Sequence, residues 1–165
     1  MTGGVVDRAT FGVYVHIPFC ASKCEYCAFA TWTDRHHLVD AYLDALTAEI
    51  ADAVTAGMPR AHTVFVGGGT PTLVPGGRLA EVIASIPTTG DAEVTVECNP
   101  DDVTVDLLRA YRDGGVNRVS LGVQSMSAHV LASLGRTHDR ANVARAVDAI
   151  VASLVRGGVV DATQK

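Results

Sequence analysis

Two hydrophobic periodicities alternate along the chain. Phe11 to Phe19 is a β-rich apolar run, and Leu38, Tyr42, Leu46, Ile50 and Val54 then recur every fourth residue. The first pattern predicts a strand, the second an amphipathic helix over Leu38–Ala56 that ends at Gly57 and Pro59. The exchange repeats downstream. Short apolar runs at His62–Val66, Glu93–Glu97 and Arg118–Val123 predict strands, while Arg78–Ile86, Val105–Asp113, Ser127–Leu134 and Arg140–Leu154 predict helices. Four strand–helix alternations indicate an α/β fold of parallel βαβ units with right-handed crossovers. Strands in such sheets are expected to be buried on both faces.

Polar motifs interrupt this pattern at one recurring place, the C-terminal end of each predicted strand. A cysteine loop follows the first, Gly67-Gly68-Gly69-Thr70-Pro71 the second, Glu97-Cys98-Asn99-Pro100 the third and Gly122-Val123-Gln124-Ser125 the fourth. That edge binds ligands in parallel α/β architectures. One site built by four loops is the prediction.

The cysteine loop carries the sharpest chemistry. Cys20, Cys24 and Cys27 stand at C-x3-C-x2-C spacing. Three thiolates are one short of the four that usually hold an iron–sulfur cluster. A centre lacking one protein ligand keeps a position open, as catalytic zinc does. Thiolates suit zinc as well as iron–sulfur, so a structural zinc site with Cys98 or a histidine as fourth ligand is the plainer alternative.

Composition narrows the function classes. With 165 residues, 48% hydrophobic and 19% charged, the chain has room for one domain with a sizeable core. A net charge of -5 and only two lysines, Lys23 and Lys165, argue against a nucleic-acid partner. No segment approaches the roughly 18 consecutive apolar residues of a membrane helix. Residues 1–10 lack the basic start and apolar middle of a signal peptide. A cytoplasmic location is therefore expected, where cysteines bind metal or catalyse more often than they form disulfides.

Read with its neighbours, Tyr14-Val-His-Ile-Pro-Phe-Cys20-Ala-Ser-Lys-Cys24-Glu-Tyr-Cys27-Ala-Phe29 resembles the opening signature of the radical SAM proteins of the oxygen-independent coproporphyrinogen III oxidase family. True oxidases of that family carry a fourth cysteine two residues after the third. Phe29 stands there, as in the sister group of haem chaperones. The resemblance implies a [4Fe-4S] cluster on Cys20, Cys24 and Cys27, with S-adenosylmethionine (S-adenosyl-L-methionine) chelating the open iron. Reduction would cleave its sulfonium and release a 5′-deoxyadenosyl radical, the cofactor supplying the chemistry and the protein its orientation. Haem or porphyrin, a reductase or other electron donor and a haem-accepting protein are the implied partners.

The same resemblance marks cofactor-contacting positions. Gly68, Gly69 and Thr70 match the motif that grips the methionyl amino end, and Glu97 matches a glutamate that holds a cofactor hydroxyl or amine. Tyr14, Gln124 and Arg136 match family positions too, and Tyr26 lies inside the cluster loop. Each has a bland alternative: a flexible glycine turn, a helix-flanking acid, core aromatics, a solvated arginine. Cys98 faces away from Glu97 if the pleat continues, which favours a core role. His16 reads as a satisfied structural histidine. His36, His37, His62, His129 and His138 follow no metal-ligand spacing.

The resemblance covers about residues 11–142 and implies the first four βα units of a partial (β/α)6 barrel, an incomplete core. The expected organisation is an extension at 1–10, the radical SAM core at 11–154 and a divergent tail at 155–165, with an apolar edge strand left uncovered. Three functions follow as expectations: a haem chaperone-like protein, an oxidase that decarboxylates coproporphyrinogen, or a non-functional fragment. A zinc-binding module is a distant fourth.

Overall fold

A computed structural model describes residues 10–24 and 26–154; the expected tail at 155–165, and the expected extension apart from Thr10, lie outside the described residues. Strands β1 (Gly12–Ile17), β2 (Ala61–Gly68), β3 (Thr88–Cys98) and β4 (Arg118–Leu121) form one parallel sheet in that spatial order. Helix α1 (Val39–Thr55) connects β1 to β2, α2 (Gly76–Ala84) connects β2 to β3, and α3 (Val105–Asp113) connects β3 to β4. Helices α4 (Ala128–Ser133) and α5 (Arg140–Leu154) follow β4. Spatial order equals chain order, so β1 and β4 are the edges of the sheet among the described residues.

Register divides the sheet into two unlike faces. Val15, Val66, Val96 and Val119 stand side by side across the four strands. They join Ile17, Val64, Val94 and Leu121 in a core closed by Leu79 and Val82 of α2, Leu108 and Tyr111 of α3, and Val143 and Ile150 of α5. The adjacent row is Tyr14, Phe65, Thr95 and Arg118, with His16, Glu97 and Ser120 one step further along. Helices cover the first face. The second stays half-open, with Tyr14 56% exposed, which corrects the expectation that both faces would be buried.

Two other expectations need correction. The stripe of Leu38, Tyr42, Leu46, Ile50 and Val54 predicted for α1 is only partly inward: Ile50 is buried, together with Leu43 outside the stripe, whereas Leu38, in a short 3-10 turn before the helix, and Val54 are exposed. A step of four drifts against a turn of about 3.6 residues, so the ends of such a stripe rotate out of the core. Strand β3 begins at Thr88 rather than near Glu93. Ala61 pairs with Thr88, directly after Pro87, and a register shift before Thr63 and Glu93 accommodates the irregular stretch. Helices α3 and α5 have the predicted bounds, and α3 starts on Thr104, whose hydroxyl accepts from the Leu107 N–H.

Candidate functional site

Strand β1 hands the chain to the cysteine loop through a backbone clasp. The Trp32 N–H donates to the Pro18 carbonyl at 2.8 Å, and the Cys20 N–H donates to the Trp32 carbonyl at 3.1 Å. Within the loop, the Cys27 N–H donates to the Cys24 carbonyl at 3.0 Å. Two histidines pin the loop from outside. His36 Nε2 lies 2.9 Å from the Cys20 carbonyl and His16 Nε2 lies 2.9 Å from the Ala30 carbonyl. A carbonyl only accepts, so both nitrogens carry the proton. In the neutral ring, His16 Nδ1 then accepts from the Tyr14 hydroxyl at 2.9 Å. His16 is thus satisfied on both nitrogens, as expected of a structural residue.

The β1–β2 pairing continues beyond both strands and sets the glycine turn against the cysteine loop. Gly69 N–H donates to the Ile17 carbonyl and Thr70 N–H to the Phe19 carbonyl, each at 2.7 Å, and the Thr70 hydroxyl lies 3.7 Å from Cys20 Sγ. A Cβ on Gly69 would stand 2.5 Å from the Phe19 carbonyl oxygen and 3.0 Å from Cys20 Sγ, so only glycine permits this approach. Gly68 has a φ of 113°, and a Cβ there would meet the His16 ring at 2.5 Å. Its N–H donates to Glu97 Oε2 at 3.3 Å. The three N–H groups of this turn are therefore all engaged, and acceptor oxygens with the Glu97 carboxylate set its chemistry. Such a wall suits a cationic group.

Glu97 projects from β3 toward this turn, while Cys98 points the other way. The Cys98 thiol donates to the Val96 carbonyl at 3.8 Å within the core. Burial pushes that thiol up, and the nearby Asp102 and Glu97 charges add to the effect. A thiolate there is disfavoured, which argues against Cys98 as a fourth metal ligand. Beyond β4, Gln124 has a φ of 60°. Arg136 reaches back to the cluster loop and donates to the Tyr26 hydroxyl from Nε at 3.3 Å and from Nη2 at 3.0 Å.

These loops enclose a pocket of about 480 Å³. Cys20, Cys24, Cys27 and Tyr26 line it from the first loop, Gly68, Gly69 and Thr70 from the second, and Glu97, Gln124 and Arg136 from the rest. Tyr14 stands outside the lining, stacked on Phe65 of the open face. Partial burial raises its phenol pKa, with the Glu97 charge as the smaller cause. Asn99, Asp102, Ser120 and Thr137 also line the pocket. They were missed by sequence reasoning, although Asn99 sits inside the Glu97–Pro100 motif and Thr137 follows Arg136 directly.

The donor set fits an iron–sulfur cluster in number and kind. All three loop cysteines are free, half-buried and turned to one pocket, and a glycine turn abuts the first thiol. Among the described residues, no group of three or more His, Cys, Asp and Glu side chains is arranged to hold a single metal ion. A cubane asks for a different arrangement, because each thiolate binds its own iron and the sulfurs stand apart.

Comparison with known proteins identifies the family. The model of the radical SAM superfamily matches residues 14–162. Heme chaperone HemW of Mycobacterium tuberculosis is 41% identical over 150 residues, covering 86% of this chain and 38% of that relative. The HemW of Escherichia coli is 38% identical over 148 residues, with 86% and 39% covered. The chain thus spans less than half the length of these relatives. Among solved structures, the radical SAM coproporphyrinogen III oxidase HemN from Escherichia coli superposes with a TM-score of 0.77 at 29% identity, covering 88% of this chain and 35% of that one. The fold accordingly matches part of the HemN barrel. With its thiol loop, glycine turn and four-strand edge, the chain belongs to the radical SAM superfamily.

Proposed function

We propose that residues 11–154 are the cofactor-binding core of a haem chaperone-like radical SAM protein. The observation that carries this reading is the shared pocket wall, where three free thiols meet the Gly68–Thr70 turn and Glu97. Superfamily membership implies a [4Fe-4S] cluster and S-adenosylmethionine. When bound, a cluster with one open iron supplies single-electron reduction of that sulfonium cofactor.

The chain's own residues then divide the work of holding it. Cys20, Cys24 and Cys27 ligate the cluster. The acceptor-rich wall of Gly68, Gly69, Thr70 and Glu97 receives the amino end, and the Arg136 guanidinium suits a carboxylate by charge and fork geometry. Tyr26 holds Arg136 at the cluster loop, Gln124 borders the remaining side, and Tyr14 supports the open face beneath.

Haem as ligand rests on likeness to HemW and on Phe29, which occupies the place of the oxidases' fourth cysteine. A reductase as electron donor, a haem-accepting protein as client and a cytoplasmic location complete the proposal; no helix among the described residues is long and apolar enough to cross a membrane. A second reading, an oxygen-independent coproporphyrinogen oxidase, is favoured by the structural likeness to HemN.

Anaerobic reconstitution of the full chain with iron and sulfide, followed by EPR with and without S-adenosylmethionine, tests the core of the proposal. The expected result is a reduced [4Fe-4S] signal that shifts on adding the cofactor and disappears in Cys27→Ser. Haem binding without coproporphyrinogen turnover supports the chaperone; turnover supports the oxidase. A cluster indifferent to the cofactor sinks both and leaves a non-functional fragment.

A further inference from the structure

Two tight turns end β4. Val123 N–H donates to the Leu121 carbonyl at 2.8 Å, and Ser125 N–H donates to the Val123 carbonyl at 2.6 Å. The second is a three-residue turn centred on Gln124, whose φ of 60° is the one positive value at a non-glycine position among the described residues. A three-residue turn of this hand is rare and strained, and a strained residue persists only where its surroundings hold it.

What holds it comes from the segment before α5. The ring of His138, 3% exposed, places Nε2 2.8 Å from the Val123 carbonyl, the same oxygen that closes the turn. That carbonyl only accepts, so Nε2 carries the proton. Arg140 Nε donates to the Met126 carbonyl at 2.7 Å. The Val123–Ser125 turn is thus held at its first residue and one residue beyond its last by one short segment, which also sends Arg136 and Thr137 into the pocket.

His138 is an uneconomical residue for stability alone. Its Nδ1 is buried without a hydrogen-bond partner, so the ring gains one bond and leaves one polar atom unmet. Those two effects are of similar size, and the net gain is small. What the ring contributes is position. We infer that His138 is a positioning residue that fixes the strained turn and so sets Gln124 on the pocket wall. The identity of the ligand that Gln124 meets rests on the proposed function; the clamp itself does not.

Two substitutions test this. His138→Met keeps the length and removes the donor, whereas His138→Gln keeps a donor. In cofactor-free protein, hydrogen exchange at the Ser125 amide is expected to quicken about fivefold to tenfold in His138→Met, the equivalent of one hydrogen bond. It is expected to stay near the parent rate in His138→Gln. In reconstituted protein, His138→Met is expected to weaken S-adenosylmethionine binding about tenfold with iron content unchanged, and to cost nothing further in a Gln124→Ala background. Unchanged Ser125 exchange, identical behaviour of the two variants, or an undiminished loss in the Gln124→Ala background overturns the inference. If the parent protein binds no S-adenosylmethionine, the ligand reading fails, and the exchange rates alone decide whether His138 holds the turn.

Discussion

The two faces of the sheet are made by the same four strands, yet they follow different rules. On the helix-covered face, Val15, Val66, Val96 and Val119 form a row in which only shape and apolar area matter. One residue along each strand, Tyr14, Phe65, Thr95 and Arg118 form a row linked by stacking and hydrogen bonds. Glu97 and Cys98 condense the contrast into neighbours: a carboxylate bonded to the glycine turn and a buried thiol bonded within the core. Strand parity therefore decides whether a side chain contributes stability or chemistry.

The contrast breaks if the faces respond alike to truncation. Ile17→Ala on the covered face is expected to cost about 2–5 kcal/mol in urea unfolding, because it leaves a cavity in a fully buried site. Tyr14→Phe on the open face removes only the hydroxyl bond to His16 and is expected to cost about 1 kcal/mol or less. Equal costs would show that the open face is a second core.

Alkaline titration sharpens the contrast at intermediate size. Burial raises the pKa of Cys98 and, on the same side of the sheet, of Tyr111. Both groups are neutral when protonated and ionise more readily in the unfolded chain. The thiol's stabilisation is complete below its ordinary value of 9.0 and the phenol's below 10.0, and each declines as pH rises beyond that value, by about 1.4 kcal/mol per pH unit. Urea midpoints between about pH 7 and 11 should fall accordingly, and Cys98→Val should delay the onset to the tyrosine range. A flat profile would mean that neither group is sealed.

The smallest effect belongs to Glu97→Gln. It keeps an acceptor for the Gly68 N–H and removes a charge from the open face, so stability is expected to move by only a few tenths of a kcal/mol. The Tyr14 phenol should titrate slightly lower, since Glu97 is the lesser cause of its raised pKa and burial the greater. An NMR titration of labelled tyrosine reads this; a large shift would assign the perturbation to charge instead of burial.

Much of this was legible in the sequence because it is local. The βα alternation, the loops at one edge and the opposed parity of Glu97 and Cys98 all follow from periods of 3.6 and 2. What escaped is non-local. The first half of β3 went unread, because its pairing with Ala61 is decided by another strand. Leu43 replaced the ends of the predicted α1 stripe once helical drift was set against a fixed core. His138 shows no ligand spacing and gains meaning only through a carbonyl 15 residues away. Asn99 and Asp102 form a polar knot with Thr72 that no short motif announces.

The two backbone bonds that extend the β1–β2 ladder into the loops have a consequence for tolerance to change. Cys20 and Thr70 are aligned by Gly69 N–H to Ile17 and Thr70 N–H to Phe19, contacts between backbone groups alone. Distance between the thiol loop and the glycine turn is then inherited from the sheet's own spacing. Surface segments such as 56–60 can lengthen, shorten or change composition without detuning that distance, much as a hinge pin ignores the weight of the door.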